Sequence, residues 1–166
     1  VAGAMANILG GGMSSRLWTS IREEMGAAYY VYCNTDELTD TGYLFVHAGV
    51  ENSQLVAVIR KILDEFKRLK TETVSEEELQ KTKDQMIGHL MLGLETSDAV
   101  AFFYGMQELL TKTPINPDVV AEKIRKITAS DIQAVANEIF QNSKLNLAVI
   151  GPLKNETKLK SVLKID

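Results

Sequence analysis

Arg22 and Tyr29 stand seven positions apart in a chain of 166 residues, with Gly26 between them. A guanidinium carries a planar fork of N–H donors and keeps its charge at all ordinary pH; a phenol adds one O–H donor. Two such groups aimed at one point can hold a carbonyl oxygen or stabilise an oxyanion. The spacing also accommodates a plainer reading. Arg22 would then be a cation that suits the negative end of a helix dipole, and Tyr29 an ordinary strand aromatic.

Other reactive side chains are few. A zinc site needs three or four converging His, Cys, Asp or Glu ligands. The chain has two histidines, His47 and His89, far apart and in neither H-x-x-E-H nor its reverse. His89 falls on a helix, where an ordinary side-chain hydrogen bond is expected, and His47 on a strand. No metal site is expected in this chain. The single cysteine, Cys33, excludes an internal disulfide and reads as a small strand packing residue. No G-x-S-x-G elbow marks a serine nucleophile. Gly10-Gly11-Gly12 lacks the lysine and preceding strand of a phosphate loop and reads as a tight turn between helices.

The elements that must position Arg22 and Tyr29 follow from the stretch between Gly10 and Cys33. Ser14 or Ser15 can cap a helix of about three turns by accepting from its first N–H groups. Leu17, Trp18 and Ile21 recur at helical spacing and should face the core. Gly26 sits where a left-handed residue ends a helix. Ala28 onwards is rich in Tyr and Val, a strand composition.

Elsewhere, Ala4 to Leu9 reads as helix. Ala28–Asp36 and Gly42–Val50 form an antiparallel hairpin with a polar turn at Glu37 to Thr41. In its second strand Leu44, Val46, Ala48 and Val50 alternate with Tyr43, Phe45, His47 and Gly49. The Tyr/Phe/His face is suited to a cleft or a domain contact. Asn52–Lys70 is a helix with the stripe Leu55, Ile59, Ile62, Leu63, Phe66 and Leu69. Ser75 with Glu78 is a capping-box signature. It opens a helix with the stripe Leu79, Met86, Ile87, Leu90, Met91 and Leu94. Helix resumes from Ser97 to Leu110. Asn116 with Pro117 begins a short helix to Lys126, and Thr128 with Asp131 begins another, through Phe140. Leu145–Ile150 is a final apolar strand, and a short helix is expected from Lys154 to Leu163. Three strands against about seven helical segments give α+β: a small, mostly antiparallel sheet with helices on one face.

The chain's size and its hydrophobic and charged fractions, 45% and 24%, are those of one soluble globular domain. A net charge of −4 argues against nucleic-acid and anionic-membrane partners. No run is long enough for a membrane span.

The run SSRLWTSIREEMGAAYYV resembles a segment of the pitrilysin/insulinase/mitochondrial-processing-peptidase family. Ser15-Arg16-Leu17, Arg22, Gly26 and Ala28-Tyr29 all fall in register with it. The resemblance is to the second, C-terminal domain of a catalytic pair and covers nearly the whole chain. Ala27 and Tyr30 depart from the residues usual there, Leu and Ser. What it implies is a processing-peptidase-like α+β domain over residues 1–166, read as an N-terminally truncated fragment of a longer protein. The first strand or strands of the sheet would be missing, leaving an edge for a neighbour or a second copy of the chain. Zinc and the general base would belong to a separate N-terminal domain, on the same or another polypeptide. Arg22 would hold a backbone carbonyl of an unfolded peptide substrate, Tyr29 would donate to the oxyanion, and Arg16 would brace the Gly turn. Two alternatives stay open: a non-catalytic assembly subunit of the same fold, and a stand-alone peptide-binding module using Tyr43, Phe45 and His47.

Overall fold

The first helix, α1 (Ala2–Gly10), ends where the strand β1 (Ala28–Glu37) crosses it, and glycine makes the crossing close. A Cβ on Gly10 would press into the backbone nitrogen of Cys33, with Cys33 Cβ at 2.8 Å and the Tyr32 carbonyl carbon at 2.9 Å. Met5 and Leu9 of α1 are fully buried beneath that strand, with Ala4, Ala6 and Ile8 beside them. This is a computed structural model; it describes residues 1–152 and 156–165.

After the glycine turn comes a helical segment ending at Glu24, most of it a π-helix (Trp18–Glu24). β1 (Ala28–Glu37) and β2 (Gly42–Val50) pair antiparallel in a two-stranded sheet. Helices α2 (Leu55–Thr71), α3 (Glu76–Leu92), α4 (Ser97–Thr111), α5 (Pro117–Arg125), α6 (Ala129–Ile139) and α7 (Glu156–Val162) follow. The inner sheet face, Val31 and Cys33 with Val46 and Ala48 opposite, packs into the main core. Leu63, Phe66 and Leu69 of α2 and Ile132 and Ala136 of α6 are buried in the same core. Phe66 stacks on Phe140 with ring centroids 4.1 Å apart. Burial pushes the Cys33 thiol up to about 12, so it stays protonated and acts as packing.

Three helix starts follow their cap residues. Ser75 accepts from Glu78 N–H at 3.2 Å, and Asn116 accepts from Val119 N–H at 2.9 Å. Thr128 and Asp131 complete a reciprocal capping box. Ser75 lacks the reciprocal half, because the Glu78 carboxylate is taken by Arg16. Arg16 Nε and Nη2 donate to the two Glu78 oxygens, each at 2.7 Å. Arg16 Nη1 lies 3.8 Å from Glu65, a carboxylate only 2% exposed that also binds Arg68 at 3.1 Å. Arg16 thus braces the glycine turn against α3 and α2. Arg16→Ala should cost about 2 kcal/mol, the usual worth of a partly buried charge-assisted pair; Glu65 keeps Arg68 and Lys61. A lower urea midpoint at constant slope would register it, and Arg16→Lys should recover only part, having no fork.

Several expectations change. Ser15 caps nothing: its hydroxyl donates to Gly12 C=O at 2.6 Å, closing the turn instead of accepting from the helix. Leu145–Ile150 forms no strand and joins no sheet among the described residues, so the sheet has two strands where three were expected. Strand composition extends a segment; a ladder also needs an adjacent edge. Between this segment and β2 lies a cavity of about 790 Å³, lined by Leu44, Val46, Ile59, Phe66 and Leu145. On α3 only Leu79 and Thr82 are buried, the later apolar stripe being half-covered or exposed. No residue of α4 is buried. The expected terminal helix is present from Glu156, and Lys154 lies outside the described residues.

Candidate functional site

Arg22 rides the last turn of the π-helix, and Tyr29 enters β1 just past the corner. The widened helix closes through Ala27 N–H, which donates to Ile21 C=O at 3.0 Å. Gly26 stands in the left-handed region at φ +59, the conformation that turns the chain from helix into strand. Leu17 and Ile21 are fully buried and anchor the helix. Trp18 is only half-buried, and its free face supports the guanidinium, with Arg22 Cζ 4.2 Å from the ring centroid.

Tyr29 occupies a β-bulge. Ala28 pairs with Val50 and Tyr30 with Gly49, so Tyr29 has no partner opposite. A bulge re-aims a side chain that strict alternation would fix, and Tyr29 is 84% exposed while Ala28 is buried. Among the described residues, the one ring contact of Tyr29 is edge-on with Tyr30, centroids 6.5 Å apart. Both candidates therefore sit on irregular backbone, a π-helix and a bulge, features that recur at functional sites.

No hydrogen bond or ring contact joins the two side chains among the described residues. Among the described residues, neither the Arg22 guanidinium nor the Tyr29 hydroxyl has a hydrogen-bond or ion-pair partner. The fold thus presents two exposed sets of donors on either side of one glycine corner. Arg16 has the bracing position expected of it.

The remaining polar candidates resolve differently. His47 shares a 2.7 Å hydrogen bond with Tyr32 OH across the hairpin. His89 is exposed and, among the described residues, its ring makes no hydrogen bond, against the one expected. No three His, Cys, Asp or Glu side chains gather as a metal set among the described residues. The donor chemistry needed for zinc does not fit here: one thiol is buried and protonated, and the histidines are separated. No helix among the described residues is long and apolar enough to cross a membrane.

Periodicity along β2 singled out Tyr43, Phe45 and His47 but missed their partners on β1. The register places Tyr30, Tyr32, Asn34 and Asp36 on the same outer face, opposite Gly49, His47, Phe45 and Tyr43. The spacing of Tyr30 and Tyr32 two apart is the signal that finds them once the hairpin register is known.

Similarity to known proteins bears on the same residues. The model of the peptidase M16 inactive domain matches residues 1–86, the span holding Arg22 and Tyr29. An uncharacterized zinc protease of Streptomyces coelicolor is 34% identical over 93% of this chain and 33% of its own length. An uncharacterized zinc protease of Bacillus subtilis is 32% identical over 90% of the chain and 36% of its own length. The crystal structure of a protease from Helicobacter pylori superposes with a TM-score of 0.75 at 25% identity, covering 85% of this chain and 34% of that one. The chain thus spans about a third of these relatives. By the matched span and by its fold, the chain belongs to the inactive-domain family of the M16 peptidases.

Proposed function

We propose that this chain supplies the zinc-free half of a metallopeptidase active site and acts on unfolded peptides held against a separate zinc-bearing domain. The observation that carries the reading is the pair of exposed, unpartnered donors, Arg22 and Tyr29, set on irregular backbone at either side of Gly26. The membership of the chain in a peptidase family, and the greater length of its zinc-protease relatives, support it. When a peptide carbonyl is attacked, its oxygen gains charge as the carbon becomes tetrahedral. The Tyr29 hydroxyl donates to that oxygen, and a preorganised donor of this kind is worth about 3 kcal/mol in the transition state. The Arg22 guanidinium, held over Trp18, donates to a neighbouring backbone carbonyl of the substrate and fixes its register. Zinc in the partner domain supplies Lewis-acid polarisation and the activated nucleophile.

The reading is tested by reconstitution. The isolated zinc-bearing domain should cleave an unfolded peptide slowly, and adding this chain should raise the rate by about 100-fold, the contribution of the donors and of positioning. A chain that binds the zinc domain yet leaves the rate unchanged removes the proposal.

A further inference from the structure

The outer face of the hairpin carries six rings in one unbroken series. It runs Tyr29, Tyr30, Tyr32, His47, Phe45, Tyr43, with successive centroids 6.5, 6.0, 5.2, 4.9 and 5.6 Å apart. Tyr30, Tyr32 and Tyr43 are 46%, 38% and 56% exposed, His47 is exposed and Phe45 half-buried, so most of the series is open to solvent. An aromatic surface of this extent, left open on a folded domain, marks a contact site.

Its charge is uneven. The segment leading to Tyr29 carries Arg22 together with the exposed Glu23 and Glu24, charges of both signs. Asp36, Glu37 and Asp40 crowd the far end. Asp36 accepts from Tyr43 OH at 2.8 Å, and none of the three acids has a cationic partner among the described residues. An acidic border of this kind repels nucleic acid and anionic lipid, which need a basic surface.

The spacing selects an extended chain. Same-side residues of an extended peptide repeat at about 6.6 Å; the steps that run along the strands, Tyr30 to Tyr32, His47 to Phe45 and Phe45 to Tyr43, are somewhat shorter at 6.0, 4.9 and 5.6 Å. Tyr29 and Asp36 are seven residues apart along β1, about 23 Å at strand rise. A peptide of seven extended residues spans the same distance.

We infer that this ring series is a specificity surface for an extended peptide, which places large apolar or aromatic side chains at alternate positions over the rings and a lysine or arginine at the Asp36 end. The inference rests on the proposed role of Tyr29 for its register: the cationic residue falls about seven residues from the scissile bond.

The test uses the chain assembled with its zinc-bearing domain, with the metal chelated so that peptides bind without being cut. The probe is a fluorescein-labelled nonapeptide with Phe at three alternate positions and Lys near one end. Replacing the three Phe by Ser should weaken binding at least tenfold, the scale of lost ring contacts. Replacing Lys by Glu should weaken it about fivefold at low salt and less at high salt. The paired variant Tyr32→Ser with Phe45→Ser should lose the Phe preference and keep the Lys preference. Asp36→Asn with Glu37→Gln should do the reverse, and Tyr32→Phe should retain both. Should the paired ring variant fail to fold, Tyr30→Thr, a strand-compatible change, carries the same reading. A Phe-to-Ser ratio unchanged in the ring variants overturns the inference. So does a complex that dimerises through this face and is dissociated by the ring variants, since a second copy would then be the occupant. Cleavage by the metal-loaded complex separates the two proposals. A Tyr29→Phe variant with normal turnover removes the catalytic role and the seven-residue register, while the binding ratios judge the ring series on its own.

Discussion

Tyr29→Phe is expected to lower kcat of the assembled peptidase by about 100-fold, the loss typical of one oxyanion donor. The substitution deletes a single oxygen atom. That oxygen has no partner among the described residues, and the ring keeps its edge-on contact with Tyr30 at 6.5 Å. Stability should therefore not change, and a thermal melt checks this. A donor that acts only on the transition-state oxygen lowers kcat and kcat/KM together and leaves KM alone. Arg22→Ala should differ in kind. It removes a contact that both binds the substrate and fixes its register for reaction, so KM should rise and kcat should fall, with kcat/KM down about 100-fold. Arg22→Lys keeps the charge and loses the fork, and should recover only part. Steady-state kinetics on one unfolded peptide reads all three variants. Normal kcat in Tyr29→Phe would end the proposed role for that hydroxyl.

The second large effect is on folding. Gly10→Ala adds one methyl at the tightest glycine approach among the described residues, where it meets the backbone of Cys33 and Tyr32. Backbone cannot swing aside as a long side chain can. Either α1 or β1 must move, and both carry the main core: Met5, Leu9, Val31 and Cys33 are all buried there. Overpacking a well-filled core costs about 1–3 kcal/mol, and rigid backbone on both sides puts this case at the upper end or beyond. That is a large part of the total stability of a domain of this size. Urea denaturation should show the midpoint falling steeply. Gly88→Ala is the matched control, because a Cβ there meets nothing within 4 Å and adds helix propensity in the middle of α3. If Gly10→Ala were as stable as Gly88→Ala, the close packing of α1 on β1 would be wrong.

Much of the domain is legible in the sequence. The hairpin Ala28–Asp36 with Gly42–Val50 followed from period-two alternation, and the ladder runs from Ala28 to Val50. The caps at Ser75, Asn116 and Thr128 followed from short polar side chains that satisfy free helix N–H groups locally. Gly26 followed from the need for positive φ at a helix end. Each of these depends on a few residues close together in the chain, and that is why a linear reading reaches them.

What the tertiary structure alone decided lies across long separations. Glu78 bonds to Arg16, 62 residues away, instead of completing its own cap; local chemistry has no means of weighing that competitor. Leu145–Ile150 has strand composition, but pairing depends on which edge lies beside it, and none does among the described residues. The bulge that turns Tyr29 outward exists only relative to β2, since an extra residue is defined by the register of two strands. The joining of Tyr30 and Tyr32 to His47, Phe45 and Tyr43 depends on that same register. The sequence by itself determined the helices, the hairpin and the two donors beside a glycine corner, because short-range sterics and hydrogen bonding specify them. Which donors stay unpartnered, and which rings meet, was decided by packing, where distant segments compete for the same neighbours.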